Sequence, residues 1–556
     1  MEEKNKLKLK SPEEILDSLK KYFSYERTKT FILTFIFGVI AHFLLLSNLI
    51  FSQDGLLHIL HYSAGGYEAS LGRWGIDFFD SLRFDIAIPF LTTLISILIM
   101  CFISNFLIDI FEIKNKIFRV FTILALVLSP CLCMTLLYIY TADVYFYSMF
   151  FAVFTVYAFY KIKNKKIGVI LGILSFIITL STYQSYIGIT IGLILMISIK
   201  KLITEKISIL EVIKDIILKA LILILAVIIY FFITVILLNI WNLEMSTYGG
   251  VNEISLRTIL SSIITSVKNA YLGFIKYFFA DGIILNRTYK REKLYLIFFI
   301  MSFITLAILF FEKYKKENKS KELILRFIIA SLFIMFLPLA LNMVLVMAPG
   351  NELYYLTATQ MFLIIPFVIS LFELIESKTI LVNALNWGFV IILTIIMITY
   401  FISISVTYQT AELTYNQAKA IANRIVDRME EYPGYRSGMN KLFAGVIDDL
   451  NFPKTLDIYN FAVTNSLKGS IFHGTYMGQE GTWRNFINTF CGTDISFCKD
   501  YEYYTIINSE EFKQMDIFPG ENSVRMINDV MVVKFTDNPS IPPMSESLIE
   551  HGISYE

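Results

Sequence analysis

The stretch FSQDGLLHILHYSAGGYEASLGRWGIDFFDSLRFDI, residues 51–86, decides how the chain is interpreted. It joins two apolar runs, Phe31–Ile50 and Ala87–Ile108. Between them it holds an unusual density of charged and imidazole side chains: Asp54, His58, His61, Glu68, Arg73, Asp77, Asp80, Arg83 and Asp85. Ionisable groups are costly to keep near a bilayer, and they therefore mark functional sites. We expect this stretch to form one wall of a site on the outer membrane surface.

The composition places most of the chain in a membrane. Hydrophobic residues make up 56% of its 556 residues and charged residues only 17%, whereas about a quarter of a soluble domain is charged. Apolar runs of roughly 20 residues recur, which is the length that a helix needs to cross the hydrocarbon core. The net charge of +1 gives no electrostatic reason to bind nucleic acid. The pattern predicts an all-α polytopic membrane protein, with about 11 transmembrane helices in residues 30–404.

The lysine-rich loops predict the orientation of these spans. Residues 1–29 are lysine-rich, and KIKNKK, KKLITEK and EKYKKENKSK fall on the same side in an eleven-span arrangement. Such loops face the cytoplasm by the positive-inside rule. The N-terminal segment, in which SPEE has the pattern of a capping box at the start of an amphipathic helix, is therefore expected to be cytoplasmic. A long outer loop is expected over residues 241–293, and its YKREK group departs from the rule.

Residues 405–556 are more polar and predict a small extracytoplasmic α/β domain. TYQTAELTYNQAKAIANRIVDRMEEY has the apolar spacing of a helix, and LDIYNFAV, YYTIIN and DVMVVKF have the composition of strands. The odd number of spans places this tail outside. Cys491 and Cys498 are a candidate disulfide pair there, because disulfides persist outside the cytoplasm; two free thiols are the alternative.

The polar residues of the predicted outer loops offer acids and bases to one site. Asp54, just after the first span, is the candidate general base, because partial burial raises the pKa of a carboxyl group. The alternative for Asp54 is a helix N-cap. Asp143, between the third and fourth spans, is either a second catalytic acid or an N-cap. His58 and His61 lie four and seven residues after Asp54, so the three side chains share one face if the segment is helical. They are expected either to bind the substrate or lipid headgroups, or to hold a divalent cation together with Asp54.

Other side chains of these loops suit a lipid phosphate and a sugar. Arg73 in LGRWG offers a planar fork for phosphate, and Trp74 suits the headgroup level. A simple headgroup anchor is the alternative for this pair. Tyr183 and Gln184 are expected either to hold a sugar or to satisfy the backbone at a helix break. The remaining candidates for substrate binding are Arg287, Arg291, Asn351 and Glu352.

Taken in order, four motifs resemble a known family. They are SQDG after the first span, LGRWG before the second, LSPCLCMTLLYIYTADVY in and after the third, and LSTYQSY after the fifth. This order resembles the serotype-converting Gtr-type glucosyltransferases, which are bacterial membrane enzymes of the broader GT-C class. The likeness covers residues 1–200 in pattern, and the later spans and the tail loosely.

The resemblance implies an inverting sugar transfer on the extracytoplasmic side of a bacterial cytoplasmic membrane. The donor would be a polyprenyl phosphate carrying a hexose, glucose in the family, and the acceptor a surface glycan such as O-antigen or teichoic acid. Asp54 then matches the family's base, Arg73 its Gly-Arg position and Asp143 its acid in the second outer loop. A lipid phosphate leaves without being protonated, so no cofactor is required and a divalent cation is optional. The alternative function is a transporter or flippase of a lipid-linked glycan, which predicts charges at the middle of the spans.

Overall fold

The computed structural model describes residues 24–50, 53–205, 207–246, 256–279, 291–317, 321–347, 353–445 and 476–539, with short pieces at 11–14, 17, 541 and 550–551. Three candidate binding residues, Arg287, Asn351 and Glu352, lie outside the described residues. The predicted strand LDIYNFAV lies outside them as well.

The beginning of the chain shows a capping box and then an interrupted first span. The Ser11 N–H donates to Glu14 Oε2 at 2.9 Å, and the Glu14 N–H donates to Ser11 Oγ at 3.2 Å, as the sequence predicts. The first span consists of α1 (Tyr25–Ala41) and α2 (Phe43–Ser47). The buried His42 ring occupies the break, 2.8 Å from Tyr408 Oη, and so fastens it to a distant helix.

The segment with the first candidate residues folds into short elements. They are α3 (Gln53–Leu57), β1 (Leu60–His61), α4 (Gly66–Ser70), α5 (Ile76–Ser81) and β2 (Ile86–Ala87). β1 pairs antiparallel with β2, with Leu60 opposite Ala87 and His61 opposite Ile86. This pairing brings the two ends of the segment together, so residues 53–88 form a compact unit, which we call the cap.

The cap is followed by a bundle of helices. In chain order they are α6 (Pro89–Phe111), α7 (Lys116–Val127), α8 (Pro130–Leu136), α9 (Ala142–Lys161), α10 (Lys165–Thr182), α11 (Ile187–Thr204), α12 (Ile209–Trp241), α13 (Leu256–Phe279), α14 (Arg291–Lys316), α15 (Lys321–Leu341), α16 (Met343–Met347), α17 (Ile364–Phe372) and α18 (Ile380–Glu430). Short 3-10 turns, Gln184–Tyr186 and Thr359–Leu363, precede α11 and α17.

In the described part of the chain, eight helices are long and apolar enough to cross a membrane, and α7 with α8 makes a ninth if the two form one bent span. The bend of 44° falls where Ser129 precedes Pro130, a position that disfavours helical backbone. Of the other two predicted spans, the first is divided between α1, with 17 residues, and α2, and the stretch Thr359–Phe372 is a shorter apolar helix. The protein is therefore a multi-pass, largely α-helical membrane protein, and the predicted number of eleven spans is not confirmed.

The loops predicted to be cytoplasmic meet at one end of the bundle. Glu112 pairs with Lys161 at 2.7 Å and with Lys200 at 3.8 Å. Glu373 accepts hydrogen bonds from the backbone N–H groups of Lys114 and Asn115, at 2.8 and 2.6 Å, which ties a second loop to the first. We call this end the basic end, and the opposite end, where the cap lies, the tyrosine end.

The tail is built on α18, which has 51 residues and joins the last predicted span to the predicted tail helix without a break. Its four-stranded sheet has the order β4–β3–β6–β5, from β3 (Asn440–Ala444), β4 (Ser496–Phe497), β5 (Val524–Ile527) and β6 (Val530–Lys534). β3 runs parallel to both of its neighbours, and β5 is antiparallel to β6. The helices beside the sheet are α19 (Tyr476–Cys491), α20 (Asp500–Ile507) and α21 (Glu510–Lys513).

Of two strands predicted in the described part of the tail, one forms and the other is replaced by a helix. DVMVVKF contains the strand β6, as expected, whereas YYTIIN is helical and belongs to α20. A capping hydrogen bond starts this helix, from the Lys499 N–H to Glu502 Oε2 at 2.8 Å. Tyr503, Ile506 and Ile507 then recur at helical spacing and are buried, so packing on one face overrides the strand-like composition.

Cys491 and Cys498 are not joined by a disulfide in the structure. The buried Cys498 packs in a cluster with Leu442 and Ile506, and Cys491 lies against the main hydrophobic core. The two thiols are thus directed into different clusters, which explains why seven residues of separation do not bring them together.

Candidate active site

A buried ion cluster locks the cap onto the bundle. Arg83 of the cap donates to Asp80 at 2.5 Å and to Asp143 of α9 at 3.2 Å. The same guanidinium donates to the carbonyl oxygens of Ile86, at 2.7 Å, and Tyr140, at 2.5 Å. Asp80, Asp143 and Arg83 are only 0, 1 and 4% exposed, so these contacts replace the water that the charges would otherwise hold.

This cluster changes the interpretation of two acids. Asp143 is held inside the protein by Arg83, which favours a scaffolding role over the predicted role as a second catalytic acid. Asp80, one of the charged residues of the 51–86 stretch, is the other carboxylate of the cluster, and its Oδ2 also accepts the Ala64 N–H at 3.0 Å. Burial raises the pKa of Asp80 to about 8, and the Arg83 guanidinium opposes that shift. The sequence signal for this arrangement is weak, because Asp80 and Arg83 are 60 residues or more from Asp143.

Asp54 lies at the other side of the cap, in the first turn of α3. No described residue donates a hydrogen bond to its carboxylate, and the residue is inside the helix, which disfavours the N-cap alternative. One side of Asp54 is open to solvent, while the protein around its other side raises the pKa of the carboxyl by burial. A carboxylate with a raised pKa and spare acceptor capacity is suited to take up a proton.

The two histidines do not join Asp54 in a metal site. The helix ends at Leu57, His58 follows in a turn and His61 is on β1, so the predicted common helical face does not form. His58 packs between the rings of Tyr62 and Tyr140, at centroid distances of 4.7 and 4.9 Å. Among the described residues there is no group of three or more His, Cys, Asp or Glu side chains that could hold a metal ion.

Six tyrosines form a continuous cluster of rings beside Asp54, which we call the tyrosine floor: Tyr138, Tyr140, Tyr145, Tyr183, Tyr354 and Tyr355. Tyr145 and Tyr183 are buried in it, and the other four are partly or fully accessible. The hydroxyl groups of Tyr138 and Tyr355 lie 2.8 Å apart, and the Tyr145 and Tyr183 rings are 4.6 Å apart. Asp54 raises the pKa of Tyr355 in addition to the larger effect of burial, which places the carboxylate close to this hydroxyl. Phenols combine an apolar face with a hydrogen-bonding tip, a combination that suits a sugar ring.

Arg73 contacts the tyrosine floor at Tyr183. Its Nε donates to Gln184 Oε1 at 3.3 Å, and its Cζ lies 5.2 Å from the centroid of the Tyr183 ring. Burial raises the pKa of Tyr140, and of the two charges Asp54 adds to that shift while Arg73 opposes it. An acid and a cation therefore lie near the same group of tyrosines.

Gln184 holds the Arg73 loop. Its Nε2 donates to the Leu71 carbonyl oxygen at 2.9 Å and to Tyr230 Oη at 3.1 Å, and the Tyr230 hydroxyl donates to the Gly72 carbonyl oxygen at 2.9 Å. Gly72 has a φ of 76°, a left-handed conformation that glycine adopts without strain. Because both ends of the Gln184 amide are occupied, the residue serves the backbone, which was the alternative to sugar binding.

A cleft of about 420 Å³ opens beside Arg73. Arg73, Glu68 and Gly66 line one side, and Trp241 and Leu243 from the end of α12 line the other. Trp74 also lines this cleft, and its indole N–H donates to Thr234 Oγ1 at 3.0 Å. A cation and two tryptophans thus line the same cleft, at the end of a long apolar helix. Tryptophan is enriched at such helix ends, where it lies at the level of the lipid headgroups.

Glu68, which the sequence shows only as one of the charged residues of the 51–86 stretch, also lines the cleft. Its Oε1 accepts from the Tyr62 hydroxyl at 2.7 Å, and its Oε2 accepts from the Gly65 N–H at 2.8 Å. Both oxygens are thus occupied, unlike those of Asp54. Asp77 is exposed and also lines the cleft, whereas Asp54 is the accessible acid that lies beside the tyrosine floor.

Arg291 is not part of the cleft. It is buried between α14 and α18, where its Nη2 donates to the Thr399 carbonyl oxygen at 3.1 Å and to the Ser403 hydroxyl. These contacts favour a role in helix packing over the predicted binding of a lipid phosphate.

Apart from Tyr183, the tyrosines of the floor are the main feature that sequence reasoning missed. Their signal is visible afterwards in YIYTADVY, where Tyr138, Tyr140 and Tyr145 surround the acid that drew attention. Tyr354 and Tyr355 stand in a separate motif, 171 or more residues after Tyr183, and only the fold shows that Tyr354 Oη lies 3.5 Å from Tyr183 Oη.

Comparison with known protein families gives a match over the part of the chain that contains the site. Residues 43–365 match the family described as glucosyl transferase GtrII, and this match spans the cap, the tyrosine floor and more than half of the 556-residue chain. No curated protein and no solved structure matches the chain. The extent of the family match shows that this multi-pass membrane protein belongs to the GtrII glucosyl transferase family.

Proposed function

We propose that the protein transfers a hexose, glucose by its family, from a polyprenyl-phosphate-linked donor to a cell-surface glycan such as O-antigen or teichoic acid. The observation that carries this proposal is the presence of Asp54 and Arg73 beside the same group of tyrosines. Transfer needs a base for the acceptor hydroxyl and a cation for the departing phosphate, and these two side chains supply them.

The reaction is a single displacement. The Asp54 carboxylate takes the proton from an acceptor hydroxyl, and that oxygen attacks the anomeric carbon. The bond between this carbon and the phosphate oxygen breaks, and the polyprenyl phosphate leaves with the electron pair. Arg73 stabilises its charge. One displacement inverts the anomeric configuration, and it needs one base instead of the closely spaced carboxylate pair of retaining hydrolases.

The surroundings of the two charges suit the two parts of the donor. The tyrosine floor offers ring faces and hydroxyl groups to the hexose. The cleft beside Arg73, with Trp74 and Trp241, suits the phosphate at the level of the headgroups, from which the polyprenyl chain extends into the bilayer. The basic end is then the cytoplasmic end by the positive-inside rule, which places the site on the extracytoplasmic side of the cytoplasmic membrane.

The transport alternative receives less support from the described residues. A transporter binds its substrate near the middle of the bilayer. The buried cations of the bundle, by contrast, lie towards its ends: Arg291 begins α14, while Lys219 and Arg326 are paired with acids of the basic end, Asp215 and Glu317. We therefore retain catalysis as the proposed function.

Replacing Arg73 by lysine tests the donor site. Arg73→Lys keeps the positive charge and removes the planar fork, so we expect KM for a polyprenyl-phosphate-hexose to rise about tenfold. The measurement is the rate of polyprenyl phosphate release by purified protein in nanodiscs over a range of donor concentrations. Arg424→Lys, at an exposed position of α18, is the matched control and should leave KM unchanged. A KM that is equal in both variants would remove Arg73 from donor binding.

A further inference from the structure

The tail contacts the short helix that carries Asp54. Asn485 of α19 donates its Nδ2–H to the carbonyl oxygen of Leu56, the next residue but one after Asp54, at 3.0 Å. The same group lies 3.5 Å from the carbonyl oxygen of Leu57, the last residue of α3. The tail thus supplies a hydrogen-bond partner to the C-terminal end of this helix, where carbonyl groups have no partner within the helix itself.

This contact belongs to a continuous core. Leu56 of α3 and Phe486 of α19 are fully buried members of the same hydrophobic cluster. The rings of Phe486 and Phe490 pack on Tyr415 of α18, at centroid distances of 5.7 and 5.9 Å. The helix α19 is therefore packed against the long tail helix on one side and against the Asp54 helix on the other.

The helix α3 needs such support because it is very short. It has five residues, and isolated helices of this length are not stable in water. Its first turn carries the carboxylate, and its last turn carries the carbonyl groups that Asn485 holds. A loss of the second contact would therefore change where the carboxylate points.

We propose that the tail domain is part of the transferase site and that Asn485 is the residue that positions Asp54. This inference rests on the proposed function, in which Asp54 is the base. Asn485 does not touch the reacting atoms; it acts through the backbone of α3. A tail that only presented a surface to a partner would have no such effect on the rate of transfer.

The experiment compares two asparagines of the same helix. Asn485→Ala removes the contact to α3, whereas Asn488→Ala removes contacts inside the tail, to the Ile495 carbonyl oxygen at 3.1 Å and to the Thr493 hydroxyl at 3.0 Å. For Asn485→Ala we expect kcat to fall about 10- to 100-fold with the donor KM within about twofold of the wild type, because misplacing a catalytic group affects the chemical step. Asn488→Ala should retain kcat within about threefold.

Hydrogen–deuterium exchange of full-length protein in nanodiscs gives a second readout that does not depend on transfer. Amides of residues 54–58 should exchange faster in Asn485→Ala and at the wild-type rate in Asn488→Ala. Unchanged exchange in Asn485→Ala, or equal losses of kcat in both variants, would overturn the positioning role. Failure of the proposed function would look different: wild-type protein would transfer no sugar from the lipid donor, although exchange in α3 would still respond to Asn485→Ala.

Discussion

Asp54→Asn is expected to lower the rate of sugar transfer by about 10²- to 10⁴-fold, which is the usual contribution of a general base. Asparagine has nearly the same shape as aspartate and cannot take up the proton of the acceptor hydroxyl. Because Arg73 and the tyrosine floor remain in place, the variant should still bind the lipid donor. The measurement is the rate of polyprenyl phosphate release in nanodiscs, beside thermal-shift titrations with the donor.

The pH dependence gives the same prediction a second check. Asp54 must be ionised to act as a base, so activity is present above its pKa and is lost as the pH falls through it. Burial raises this pKa in the free protein, and the acid limb of kcat/KM should therefore lie above the usual aspartate value of about 3.9. Glu68→Gln serves as the comparison, since both Glu68 oxygens are already occupied. Equal turnover in wild type and Asp54→Asn, with Glu68→Gln inactive, would assign the base to Glu68.

Arg83→Met is expected to lower the free energy of unfolding by about 3–5 kcal/mol, because it leaves buried carboxylates without their cation. The change removes the partner of Asp80 and Asp143 and two hydrogen bonds to carbonyl oxygens of Ile86 and Tyr140. It should also release the cap from α9 and reduce transfer. Unfolding can be followed by tryptophan fluorescence in mixed micelles during a titration with sodium dodecyl sulfate.

Arg119→Met is the control for this experiment. Arg119 pairs with Glu26 at 2.5 Å, but the two side chains are 21 and 47% exposed, so water replaces much of the interaction. We expect a loss of no more than about 1 kcal/mol. If Arg83→Met is as stable as Arg119→Met, the ion cluster does not hold the cap in place.

The membrane part of the fold follows from features that a sequence displays directly. Apolar runs of the required length predict helices such as α6 and α12, and the lysine clusters predict which loops share the basic end. The Asp54 and Arg73 motifs are also visible, because charges between apolar runs are rare. Their meeting at the tyrosine floor is not visible, since it depends on how α9, α10 and the loop before α17 pack.

The differences between sequence and structure have physical causes of the same kind. Asp143 and Arg291 look like functional charges beside a bilayer, and both contact buried partners from distant segments, Arg83 and Ser403. A sequence does not show which charges find such partners. His58 and His61 would share a helical face with Asp54 if α3 continued, but the helix ends at Leu57 and β1 follows.

The donor class is the central claim, and one measurement tests it most directly. Purified wild-type protein in nanodiscs is given a polyprenyl-phosphate-hexose or a nucleotide-linked hexose, with cell-surface glycan as acceptor, and the lipid and nucleotide products are separated. We expect free polyprenyl phosphate to accumulate together with hexose on the glycan, and the nucleotide sugar to remain intact. Consumption of the nucleotide sugar with an unchanged lipid donor, or movement of the intact lipid donor between leaflets without cleavage, would contradict the account.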